Sequence, residues 1–233
     1  MVDDRADGGA GPAVTVERER SVAVVTMNRP DRRNALSTEL REEGCRHLAD
    51  LAGDGSVRCL VLTGAGTVFS AGFDLAEFEA AASDEAFGRR LWASSDEWHR
   101  RWIEFPVPTM AAVNGPAIAG GFDVAVMCDL RVVAESATFA HPEIAFGDVV
   151  YGPLHDLVGG AVARDLCFTG RRIDAAEAER LGLVTVLVPD AQVLDEALGL
   201  AAGIASAPRE VLVRTKSKAV RRAATAPGGT LDL

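Results

Sequence analysis

Residues 108–129, PTMAAVNGPAIAGGFDVAVMCD, decide how this chain is read. Met110 to Val113 form an apolar run short enough for a buried strand, and Asn114, Gly115 and Pro116 break it with turn chemistry. A small-residue run follows, and a helix is expected to open near Gly120 and Gly121. The first turn of a helix has backbone N–H groups without intrahelical acceptors, and the macrodipole adds partial positive charge there. The Gly120 amide is therefore a donor suited to an oxyanion. Asp123 lies three residues on, and positions i and i+3 share a helix face, which sets a carboxylate beside that amide.

Working outward, an earlier stretch has matching character. Leu60 to Leu62 form an apolar run, Gly64 to Gly66 a turn, and Phe69 to Leu75 (FSAGFDL) lead into a helix. Here too a glycine stands at a strand-to-helix junction, where the backbone can approach a ligand without a side chain in the way. Two such junctions can supply two converging donors.

TVFSAGFDL together with AVNGPAIAGGFDVAVMCDLRVVAESATFAHPEIAFG resembles the crotonase superfamily, the enoyl-CoA hydratases and isomerases. The similarity continues through LCFTGRRIDAAEAERLGLVTVLVP and covers about Val14 to Lys218. The resemblance implies an α/β (α+β) fold, a spiral of ββα units with two roughly perpendicular sheets wrapped by helices. It divides the chain into a disordered start over 1–12, a core domain over 13–190 and a shortened helical C-terminal segment over 191–233. In that family two backbone amides hold the thioester oxygen of an acyl-CoA, and the matching positions are Phe73 and Gly120. The two catalytic acids of the hydratases fall on Asp123 and Glu143. Substrate and CoA contacts are expected at Arg32, Arg33, Ala71, Asp74, Leu75 and Tyr151.

The implied activity is addition of water across a trans-2-enoyl-CoA double bond. The alternatives are an enoyl- or dienoyl-CoA double-bond isomerase, or a weakly catalytic acyl-CoA binder. No cofactor is implied beyond the coenzyme A of the substrate, and a homotrimer or dimer of trimers is the family expectation. Three departures mark this chain. Asp replaces the usual Glu at 123, the glycine-rich loop after Glu143 is replaced by Val150 to Asp156 with Tyr151 in it, and most of the C-terminal helical region is missing.

Composition narrows the classes. The net charge of −10 over 233 residues argues against a nucleic-acid partner, because binding phosphates needs a cationic surface. Cys45, Cys59, Cys128 and Cys167 show no CxxC pair and no Cys/His cluster, so they read as lone buried thiols with no metal site. The acidic, glycine-containing start lacks a secretion signal, giving a cytoplasmic expectation. Thr109 to Cys128 is long enough to cross a bilayer, but Asn114, Pro116, Asp123 and its glycines argue against a span.

The remaining expectations are local. Val14–Arg18 and Val22–Met27 read as a hairpin, with Ser37 capping the helix after it. Ala80–Glu104 reads as a helical segment in which Trp98 and Trp102 share a core-facing side. Asp174 caps a helix that Gly182 ends. After Pro208, a helix carrying Arg209, Arg214, Lys216, Lys218, Arg221 and Arg222 reads as a solvated basic face.

Overall fold

The computed structural model describes residues 11–223 and 229–233. Most of the disorder expected over 1–12 therefore lies outside the described residues. Pro12 is held, its carbonyl accepting from Asn28 Nδ2 at 3.0 Å.

β1 (Val14–Glu19) and β2 (Val22–Met27) form the expected antiparallel hairpin, Val14 opposite Met27. β2 then pairs in parallel with β3 (Cys59–Gly64), β3 with β4 (Thr109–Val113), β4 with β6 (Leu130–Ala134), and β6 with β9 (Val186–Val188). The larger sheet runs β1-β2-β3-β4-β6-β9. Every residue of β3 and β4 is buried, as expected of central parallel strands covered on both faces, and it explains why they read as unbroken apolar runs. A second sheet joins β5 (Ala117–Ile118), β7 (Thr138–Ala140) and β8 (Ile173–Asp174). β5 pairs in parallel with β7, setting Ile118 opposite Ala140.

Helices cover these sheets. α1 (Thr38–Gly53) is capped by Ser37, whose hydroxyl accepts from the Leu40 amide at 3.2 Å. The segment expected to be helical over 80–104 falls in two helices, α2 (Leu75–Ser83) and α3 (Glu85–Ile103). Asp84 between them is extended, and its carboxylate accepts from the Phe87 amide at 3.0 Å, an N-cap that restarts the helix. Trp98 and Trp102 are fully buried and meet edge to face with centroids 5.5 Å apart, as their shared helix side predicts. α4 (Gly120–Met127) is buried along its whole length.

α5 spans Gly152–Thr169, so residues 152–156, expected to be loop, form its opening turns, with Pro153 at a position where a missing N–H costs nothing. Gly159, at φ 74, interrupts it. α6 (Ala175–Arg180) is capped by Asp174, which accepts from Glu177 N at 2.7 Å, and Gly182 turns the chain after it at φ 83. α7 (Val193–Ala205) packs against β3, β4 and β6, and α8 (Arg209–Ala223) follows the break at Pro208. The solvated-face reading of α8 fails at Lys216, which is buried against Asp129. Among the described residues no helix is long and apolar enough to cross a membrane.

Candidate active site

The two strand-to-helix junctions lie side by side. Isolated parallel bridges join Ser70 to Ala117 and Leu36 to Phe73, with Ile118 N donating to Ser70 O at 2.9 Å and Leu36 N to Gly72 O at 2.8 Å. Gly72 has φ 84, and a Cβ there would stand 2.7 Å from Ile118 O and 3.1 Å from Gly120 N. Only glycine permits both that backbone conformation and that closeness. Sequence reasoning placed Phe73 and Gly120 at separate junctions, and the fold brings them together. Among the described residues neither the Phe73 nor the Gly120 N–H donates a hydrogen bond.

Ala119 sets the direction of the second amide. It has φ 53 and ψ −128, a region that costs a residue with a Cβ about 1–3 kcal/mol. Its N–H donates to Ala140 O at 2.9 Å, and its carbonyl receives Phe122 N and Asp123 N at 2.7 and 3.0 Å. These bonds hold the strained conformation at the mouth of α4. The Phe73 ring is held from behind by the fully buried Arg41, whose guanidinium lies 4.7 Å from the ring centroid. Burial depresses the Arg41 pKa to about 10, and its bonds to Leu36 O, Leu91 O and Ser94 Oγ keep the charge satisfied.

Asp123 and Glu143 meet at a residue the sequence reading left unassigned. His141 Nδ1 lies 2.9 Å from Glu143 Oε1 and 3.7 Å from Asp123 Oδ1. Phe122 stacks on the imidazole, centroids 4.6 Å apart at 24°. Asp123 and His141 are buried and Glu143 is nearly so, its side chain 14% exposed. Burial pushes the Asp123 carboxyl up to about 8, with the Glu143 charge adding to the rise and His141 opposing it. Burial of His141 disfavours its charge, yet the hydrogen bond to Glu143 and the two acids outweigh that, and its pKa stands above the ordinary value. The signal that would have found His141 is its place two residues before Glu143 in HisProGlu.

Asp123, His141 and Glu143 also bring potential ligand atoms within 4.8 Å of one another. His141 Nδ1 is already hydrogen-bonded to Glu143 Oε1 at 2.9 Å, and a cation would have to displace that bond.

Of the other expected contact residues, Ala71, Asp74 and Leu75 flank Phe73 in the sequence, and Arg33 meets Ala71. Asp74 is paired with Arg29 Nη1 at 3.2 Å, Leu75 is exposed, and Ala71 is fixed through its amide to Arg33 O at 2.9 Å. Arg32 and Arg33 sit exposed at a short turn over Pro30–Arg32, where Arg33 adopts φ 52. Tyr151 precedes α5 and packs on His155, centroids 5.5 Å apart.

The enoyl-CoA hydratase/isomerase family model matches residues 17–230, and the chain belongs to that family. A Thermus thermophilus relative is 43% identical over 190 residues, which is 79% of this chain and 74% of its own. The short-chain-enoyl-CoA hydratase of Clostridium acetobutylicum is 36% identical over 215 residues, 90% of this chain and 81% of its own. Among solved structures, a monofunctional enoyl CoA isomerase from M. smegmatis superposes with a TM-score of 0.79 at 32% identity, covering 92% of this chain and 95% of that one. Hydratase and isomerase thus both stand among its relatives.

Proposed function

We propose that the protein hydrates a trans-2-enoyl-CoA thioester. The observation that carries this reading is the convergence of two ionisable acids, Asp123 and Glu143, on a single histidine nitrogen in a buried site reached from α4. Glu143, as carboxylate, takes a proton from water; the water oxygen bonds to the β-carbon, and the π electrons move onto the thioester oxygen as an enolate. The Phe73 and Gly120 amides receive that oxygen, a kind of contact whose single donors are worth about 3 kcal/mol of barrier. Return of the proton to the α-carbon completes the addition and leaves Glu143 ionised. Asp123 holds the same water, and its high pKa keeps it neutral where a second anion would repel the enolate. Protons and electrons balance within substrate, water and side chains, so no cofactor is needed beyond the coenzyme A that the substrate brings.

Double-bond isomerisation is the second reading, supported by the M. smegmatis isomerase neighbour. The test follows the conjugated enoyl absorbance with short and medium trans-2-enoyl-CoA, beside Glu143→Gln and calorimetric binding of a CoA ester. Absorbance that falls in the wild type and stays in the variant, with binding kept, supports hydration. Tight binding with no fall sinks it, and an absorbance rise from a 3-enoyl-CoA then identifies the isomerase.

A further inference from the structure

His141 stands between the two acids without belonging to the pair that the family resemblance supplies. Its Nδ1–H reaches Glu143 Oε1 at 2.9 Å, and that oxygen is thereby committed. Glu143 Oε2 and Asp123 Oδ1 are buried with no hydrogen-bond partner among the described residues, as is His141 Nε2. A carboxylate anchored by one oxygen presents the other in a fixed direction. The anchor is itself immobilised, with Phe122 stacked on one ring face and the His141 carbonyl packed close to Gly170, where a Cβ would stand 2.8 Å away.

From this we infer that His141 is a positioning residue for both acids: its Nδ1–H pins Glu143 by Oε1, Oε2 is the oxygen that exchanges protons with the substrate, and the imidazole screens Glu143 from Asp123. The inference rests on the acid/base reading above for its consequences in catalysis. The charged groups facing the ring are Asp123 from α4 and Glu143 from the turn Pro142–Ala145. Cys167 of α5 also senses both acids, but burial keeps its thiol neutral, pushed up to about 12. A charged imidazole therefore has two acids beside it and no competing cation among the described residues.

Two substitutions separate the roles. His141→Asn keeps a donor near the Nδ1 position and removes the charge, whereas His141→Leu removes both. Loss of the donor leaves Glu143 free to rotate, and His141→Leu is expected to lower kcat about 10- to 100-fold with KM for the thioester nearly unchanged. Loss of the cation pushes the Asp123 carboxyl still higher, because His141 is what holds it down. In His141→Asn the alkaline fall of kcat/KM therefore moves to higher pH by about one unit or more. A purely structural histidine would lower activity evenly across pH, and an unmoved alkaline limb in a folded His141→Asn overturns the inference.

Nitrogen-15 NMR of the full chain reads the pairing without any turnover. His141, identified by its absence from the His141→Asn spectrum, is expected to titrate above the ordinary histidine range and to fall toward it in Glu143→Gln. A His141 that titrates identically in wild type and Glu143→Gln overturns the pairing. If the NMR shift is present while the wild type neither hydrates, isomerises nor exchanges the α-protons of a saturated acyl-CoA with solvent deuterium, the pairing stands and the enzymatic reading falls.

Discussion

Lys216 Nζ lies 2.7 and 2.6 Å from the two carboxylate oxygens of Asp129, which fastens α8 to the residue that precedes β6. Asp129 Oδ2 also accepts from Thr109 N at 2.8 Å, so one carboxylate joins the start of β4 to a helix that follows it by many turns of chain. Lys216→Met keeps the bulk and leaves Asp129 without its cation. The expected loss of stability is below the roughly 3–5 kcal/mol of a fully buried pair, because the Asp129 side chain is 29% exposed. Guanidinium denaturation measures it; an unchanged midpoint would show the pair contributes nothing.

Gly72→Ala should separate the two junctions. Its Cβ would meet Ile118 O at 2.7 Å and Ala119 Cβ at 2.8 Å, in a backbone conformation at φ 84 that alanine resists. With the amides moved, kcat for a trans-2-enoyl-CoA is expected to fall by about 100-fold or more. Steady-state kinetics on the folded variant decide this, and a wild-type kcat would show that the amides do not need their present spacing.

Asp123→Asn should change how stability depends on pH. The folded carboxyl has a pKa of about 8 against an unfolded value near 4, so the folded state holds the extra proton and is favoured below the unfolded value. That advantage drains away as pH rises toward 8. The variant carries no such proton, so its melting temperature should gain on the wild type from pH 4 to pH 8. Parallel curves would contradict a buried neutral Asp123.

All four cysteines are buried, and burial pushes each thiol up to about 12. The thiolate is the reactive form. An aromatic disulfide reagent at pH 8 is therefore expected to label none of them in the native protein and all four in denaturant. Rapid labelling of native protein would refute the burial.

Elements with a local cause were legible in the sequence. The hairpin, the Ser37 and Asp174 caps and the paired tryptophans follow from spacing and from short-range hydrogen bonding, and they stand where that chemistry puts them. Asp84 was missed although its cause is equally local, because an acid inside a charged helical stretch looks like any other until its φ is known. Lys216 and His141 were missed for a different reason. Six basic residues on α8 are chemically alike, and only the fold brings Asp129 to one of them. His141 acquires its role from Asp123, which reaches it from another element. The joining of the two junctions was half legible: each glycine announced a close approach, but what approached was set by the bridges Ser70–Ala117 and Leu36–Phe73.

Those bridges carry an evolutionary consequence. The Phe73 and Gly120 N–H groups belong to the main chain, so no codon change at either position deletes a donor except one to proline. Point mutation reaches the acids at 123 and 143 directly, yet it reaches the amides only through neighbours such as Gly72 that hold the two segments together. On the proposed reading, a lineage built on this frame can exchange its proton chemistry one residue at a time while the backbone donors are inherited unchanged.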